Sequence, residues 1–171
     1  MSVSFTVYGA AAVAGSKRGF YNAKAKRVII TDDSARSRPW KAHVSDAAVE
    51  AMMGGDPEGQ SRVLEMSAPL EGPLLLELTF WIPRPKGHYG SGKNAAVVKA
   101  GAPFAPTVKP DLLKLTRAVE DALTGIVYRD DSQITSETLQ KAYTTGQART
   151  EVRVVPVADP REHRPIIDQA A

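Results

Sequence analysis

The sequence predicts an α+β fold, a mixed β-sheet with helices packed on one of its faces. Three observations point there. Two segments, Ser37–Met52 and Asp111–Thr124, repeat apolar residues at helical spacing. Leu74 to Ile82 (LLLELTFWI) is an almost continuous apolar run of strand length, as expected of a central strand covered on at least one face. Ser2 to Tyr8 alternates apolar Val3, Phe5 and Val7 with small polar residues, the pattern of a half-buried strand. A chain of 171 residues can bury one real core, so a single domain is placed at 1–157 and a flexible tail at 158–171.

Taken in order, Gly9 ends the first strand, and Gly15-Ser16-Lys17-Arg18-Gly19 reads as a basic, glycine-bounded turn. Arg27 to Thr31 (RVIIT) follows as a hairpin arm. Pro39 suits the first turn of a helix, where its missing N–H costs nothing. Trp40, Val44, Ala47, Ala48 and Ala51 then form the buried stripe of that helix, with Trp40 as its core anchor. Met53-Gly54-Gly55 and Asp56 to Gly59 end it in a loop. After the central strand, Pro83 to about Lys109 is long and rich in Gly, Pro and Ala. Its lysines, with Tyr89 and Phe104, suit either a flap that orders along a nucleic-acid backbone or a plain mobile insertion.

The second helix opens on Lys109-Pro110-Asp111 and stops at Gly125. Its apolar face holds Leu112, Leu115, Thr116, Val119, Ala122 and Leu123. Leu113 falls on the polar side, beside Arg117 and Glu120, where a lone exposed leucine is either ordinary surface variation or a sign of something replaced. Ile126 to Tyr128 reads as a short buried strand or arm delivering Asp130 and Asp131. Gln133 to Tyr143 and Thr150 to Val157 are the last strands, and Pro156 and Pro160 disfavour further pairing.

Composition excludes several chemistries. With no cysteine there is no disulfide and no thiolate ligand or nucleophile. His43, His88 and His163 lack the spacing of a histidine metal site, and no serine sits in a G-x-S-x-G setting. No apolar run approaches the roughly 20 residues of a membrane span, and no signal-peptide layout begins the chain, so a cytoplasmic setting and no membrane partner are expected. The net charge is only +3, but basic residues crowd the first quarter and the approach to the second helix. This suits a polyanion, whose phosphates release counterions to Lys and Arg, or simply a solvated positive surface. Lys17, Arg18, Arg84, Lys86, Lys109 and Lys114 are the residues assigned to such a backbone.

The acidic candidates are Asp111 at the helix entry and the pair Asp130 and Asp131. If a βα unit makes them converge, carboxylates without histidine or cysteine favour a hard cation such as Mg²⁺. The cation's short bonds to oxygen require Asp111 and Asp131 to lie within about 10 Å of each other. The alternative is that Asp111 complements the helix dipole and the pair is a solvated turn.

The stretch K-P-D-L-x-K-L-x-R-A-V-x-D-A-L-T-G, followed by D-D-S-Q-I, resembles the RusA family of Holliday junction resolvases, common in phages and prophages. The likeness extends to F-T-V-Y-G, G-S-K-R, Pro39-Trp40 and F-W-I-P-R-P-K-G-H-Y-G, and so spans most of Val3 to Val157. It implies a RusA-like two-layer fold and a homodimeric endonuclease that nicks a four-way DNA junction in pairs, using Mg²⁺ or Mn²⁺, in the cytoplasm of a bacterial or phage-infected cell. By the same resemblance Asp111 and Asp131 match metal-binding aspartates, with Asp130 beside them, and Arg117 stands where the family has a catalytic lysine. The family's D-x-D is broken, because its second aspartate is here Leu113. The resemblance therefore leaves two outcomes, a resolvase impaired at this position or a junction-binding protein on the same scaffold. A third reading, a basic interaction module with a purely structural acidic pair, needs no resemblance at all.

Overall fold

A computed structural model describes residues 2–14, 17–32, 36–53 and 66–159. The elements run β1 (Val3–Tyr8), β2 (Lys17–Asn22), β3 (Arg27–Asp32), α1 (Ser37–Met52), β4 (Leu74–Pro83), α2 (Leu112–Leu123), β5 (Ile134–Thr144) and β6 (Arg149–Pro156), with three short 3₁₀ turns between β4 and β5. β1, β6, β4 and β5 lie in that order in one mixed sheet. β6 is antiparallel to β1 and β4, whereas β4 and β5 are parallel. β2 and β3 pair with each other as a separate two-stranded hairpin. The fold is thus α+β with a mixed sheet, as expected.

Alternation decides which face of the sheet is covered. Leu74, Leu76, Leu78 and Phe80 of β4 are fully buried, while Leu75, Glu77, Thr79 and Trp81 between them are half-buried on the other face. α1 and α2 cover the first face. α1 contributes Trp40, Val44, Ala48 and Met52, and α2 contributes Leu115, Ala118, Val119, Ala122 and Leu123. Each large aliphatic side chain buried this way is worth about 1.5–3 kcal/mol. The helices are also tied together by polar contacts, Lys41 Nζ to Asp121 Oδ2 at 2.5 Å and Ser45 Oγ donating to the Ala122 carbonyl at 3.0 Å.

Three expectations need correction. Lys17 to Gly19 belong to strand β2 and not to a turn, because they pair with Gly19↔Ile30, Arg18↔Thr31 and Lys17↔Asp32 of β3; Gly15 and Ser16 lie outside the described residues. Ile126 to Tyr128 form no strand. Gly125 turns the chain with φ +81°, and only isolated bridges link Tyr128 to Thr124 and Leu70. Val127 and Tyr128 are nonetheless fully buried, so the apolar signal there reported burial without pairing. The loop from Arg84 to Lys109 is folded in the free chain. Paired backbone contacts (Gly90 N to Val97 O at 2.9 Å, Lys99 N to His88 O at 2.9 Å) cross it, and the Arg84 guanidinium lies over the Tyr143 ring. The loop expected at Gly54 to Gly59 and the tail beyond Asp159 lie outside the described residues.

β4, α2 and β5 make a parallel βαβ unit, and this fixes the geometry of everything acidic. A crossover helix runs antiparallel to the strands it joins. α2 therefore begins beside the end of β5 and finishes beside its start. The first contact is direct: Lys141 Nζ, near the end of β5, donates to the carbonyls of Val108 (3.0 Å) and Pro110 (2.9 Å) at the helix entry.

Candidate active site

Asp131 is delivered by a turn whose local chemistry is clear. Asp130 is the N-cap of a single 3₁₀ turn, Asp131–Gln133. Its carboxylate accepts from the Ser132 backbone N–H at 2.9 Å, and the Gln133 side chain accepts from the Arg129 and Asp130 N–H groups, a reciprocal capping box. Hydrogen bonds from Ser132 hold the Asp130 carboxyl below the usual carboxylate range. The Gln133 amide in turn donates to the carbonyls of Leu70 and Gly72. Asp130 thus shapes the turn, and Asp131 is left exposed at its tip.

Beside Asp131 lies an open recess of about 540 Å³, lined by Arg117, Glu120, Asp131, Ser132, Ile134, Thr135, Ser136 and Glu137. Arg117 and Glu120 come from α2, and Glu137 comes from β5. Partial burial, the neighbouring Glu137, and then Asp131 and Asp121 together push the Glu120 carboxyl up from 4.5 to about 7. Glu137 therefore lies close to Glu120 across the recess. The same end of α2 is firmly anchored, because the Glu120 carbonyl accepts from Thr124 N–H (3.1 Å), Thr124 Oγ1 (3.0 Å) and the buried Tyr128 hydroxyl (3.1 Å).

Asp111 is elsewhere. It is the N-cap residue of α2 with extended backbone (φ −71°, ψ 136°), its side chain makes no capping hydrogen bond, and its carboxylate pairs with Lys114 at 3.5 Å. At 1.5 Å per residue, Arg117 lies about 9 Å and Glu120 about 13.5 Å further along the helix axis. The βαβ geometry thus brings Asp131 to Arg117, Glu120 and Glu137, and leaves Asp111 beside Lys141. Asp111 stands at the entry of α2, and Asp131 lines the recess with Arg117 and Glu120 from its second half.

Leu113 is 70% exposed, one turn before Arg117 and two before Glu120 on the same stripe of α2. Among the assigned basic residues, Lys86 and Lys109 are exposed and Lys114 is held by Asp111. Arg84 has a structural task, donating to the Pro103 carbonyl at 2.7 Å while stacking on Tyr143. The side chains of Lys17 and Arg18 lie outside the described residues, but the hairpin that carries them leaves from Ala14, whose N–H bonds the Lys114 carbonyl on α2 at 2.9 Å. Sequence reasoning missed Glu137 and Lys141, for which no motif speaks. The helical pattern puts Glu120 off the apolar face, beside Leu113 and Arg117, but gives it no role in the site.

The donors here are carboxylates alone, the chemistry of a hard cation. Yet among the described residues no group of three or more His, Cys, Asp or Glu is placed to hold a metal ion. One chain by itself does not fit the cation that the resemblance implies. Among the same residues no helix is long and apolar enough to cross a membrane.

Comparison with known proteins agrees with the geometry. The chain is 29% identical over 153 residues to the uncharacterized protein YqaN of Bacillus subtilis (strain 168), covering 89% of this chain and 94% of that one. Residues 11–155, which include both helices, the recess and β4, β5 and nearly all of β6, match the family described as endodeoxyribonuclease RusA. The chain therefore belongs to the RusA endodeoxyribonuclease family, whose members are nucleases acting on DNA junctions.

Proposed function

We propose that this chain is a structure-selective DNA endonuclease of the RusA type, which resolves four-way junctions by paired symmetric nicks in recombination and repair. The reading is carried by the recess in which Asp131, Glu120 and Glu137 face Arg117 at the edge of the family's fold. Arg117 can steady a phosphate oxygen or a departing oxygen with its fixed charge, although it cannot serve as a proton donor as a lysine can.

A cation centre that uses both Asp111 and Asp131 needs a second copy of the chain. In a two-fold dimer, residue i of one copy meets residue j of the other and the converse also holds. Two α2 helices related by an axis across them run antiparallel, so the Asp111 end of each adjoins the Asp131 end of its partner. That arrangement yields two equivalent centres, as paired nicks on a two-fold junction demand. It also gives dimerisation a chemical reason.

Leu113 supports the second reading, a protein that binds junctions and cleaves them poorly. An exposed aliphatic chain stands on the stripe where the family motif has a carboxylate, and a leucine ligates nothing. The decisive experiment is nicking of a synthetic four-way junction with Mg²⁺ by the wild type and by Leu113→Asp, beside a gel shift in EDTA. Gain of cleavage by Leu113→Asp is expected. Absence of junction-selective binding in EDTA by either protein refutes both readings.

A further inference from the structure

Phe104 is 93% exposed, more than any other large hydrophobic residue among the described ones. Its mount is rigid. The preceding carbonyl, of Pro103, accepts from Arg84 Nη1 at 2.7 Å, and Pro106 two residues on is buried. Arg84 itself is clamped over Tyr143, whose ring also meets the His88 ring edge-on at 5.3 Å between centroids. Lys99 Nζ closes the base of the loop on the Gly87 carbonyl at 2.9 Å. A side chain on a wandering loop would be exposed by chance, but this one projects from a prebuilt frame.

Two features identify what such a residue meets. The segment 84–110 holds Arg84, Lys86, Lys93, Lys99 and Lys109 and not one Asp or Glu, so it complements a polyanion. The loop also ends on Asp111, flanked in sequence by the exposed apolar residues Val108 (66% exposed) and Leu113. Phosphate-seeking charge around a projecting aromatic ring is the composition of a base-stacking wedge. Such side chains enter between base steps that are already weakly stacked, as at a strand exchange.

We propose that Phe104 is a wedge that stacks on an unpaired or unstacked base at the branch point of the DNA junction, while the surrounding lysines hold the arms. This rests on the junction reading above and adds to it the residue that distinguishes a branch from a linear duplex. The wedge makes selectivity for branched DNA a property of the 84–110 loop and separates it from the acidic residues.

The test uses full-length protein in EDTA and a four-way junction carrying 2-aminopurine next to the exchange point, with a linear duplex of the same sequence as reference. Wild type is expected to brighten the probe on binding. Phe104→Ala should abolish that signal and weaken junction binding about tenfold, leaving duplex binding unchanged. Phe104→Trp should restore both, and because the ring is exposed neither variant should lose thermal stability. Phe104→Ala that keeps affinity and signal overturns the wedge while leaving the junction reading intact. A Phe104→Ala protein that loses dimerisation by light scattering assigns the ring to contact between copies and also overturns it. If wild type does not prefer the junction over the duplex, the function proposed above fails first.

Discussion

The Glu120 carboxyl offers a sharp test of the recess, because its raised value fixes both the sign and the pH window of a stability effect. In the unfolded chain it titrates near 4.5, and in the folded protein near 7, first because it is partly buried and then because Glu137 and Asp131 face it. Between these values the folded state binds the extra proton, so stability falls as pH rises from about 4.5 through 7. The full effect is complete above pH 7. At about 1.36 kcal/mol per pH unit it amounts to about 3.4 kcal/mol, but the group is half-exposed, and screening reduces it to about 1 kcal/mol. Glu120→Gln should therefore match wild type at pH 4.5 and exceed it by about 1 kcal/mol at pH 8. In a domain of this size that is a Tm higher by about 2–4 °C. Glu137→Gln should give a smaller gain, since it removes the repulsion on Glu120 but not its burial, and the double variant less than the sum. Thermal melts by circular dichroism at both pH values read this directly. A Tm difference that does not change between pH 4.5 and 8, or a variant less stable than wild type at pH 8, refutes the carboxylate contact.

Other expectations follow from the same geometry. In the Leu113→Asp background, Asp111→Asn and Asp131→Asn should each be inactive alone, while mixing and refolding the two should restore about a quarter of the centres as single nicks, because half the dimers are mixed and each mixed dimer keeps one complete site. No recovery on mixing would place both aspartates in one chain's site. Tyr128→Phe removes the hydroxyl that bonds the Glu120 carbonyl and should cost about 1 kcal/mol in denaturant unfolding. Lys141→Met leaves the carbonyls of Val108 and Pro110 without their donor and should cost about 2 kcal/mol, with the loop before α2 gaining faster amide exchange. Junction binding should weaken steeply between 50 and 200 mM salt, and the slope should flatten by about one when Lys86 or Lys109 is replaced by Ala.

Periodicity made much of the fold legible. Trp40, Val44 and Ala48 recur at a helical interval and are buried, and the apolar run of β4 did mark a central strand. The sequence misled where burial and pairing come apart. Val127 and Tyr128 are as apolar as a strand and as buried as one, but Gly125 turns the chain and they serve as a plug under α2. The β2–β3 hairpin was half visible: Val28 and Ile29 look like strand, whereas Lys17-Arg18-Gly19 looks like a turn because its partners, Asp32, Thr31 and Ile30, lie beyond the hairpin's turn. At the site, the out-of-phase Leu113 could be read from a helical wheel alone. Glu137 could not, because nothing local in I-T-S-E-T tells which face of β5 meets α2.

The direction of α2 is the fact on which the chemistry depends, and it was legible only once β4 and β5 were known to be parallel neighbours. A hairpin between those strands would have allowed many placements of the helix. A parallel pair allows one sense, because the chain must return from the end of β4 to the start of β5. Asp111 caps the start of α2, whereas Asp131 lines the recess with Arg117 and Glu120 of its second half. Two carboxylates so separated either serve different purposes or meet across a symmetry axis. Leu113 sharpens the choice, because it lies next to Asp111 and away from the recess. Its replacement by Asp adds a carboxylate at the helix entry, beside Asp111, and leaves the recess unchanged. If Leu113→Asp restores nicking, the deficient half is the one at the helix entry, and the acidic recess was competent from the start.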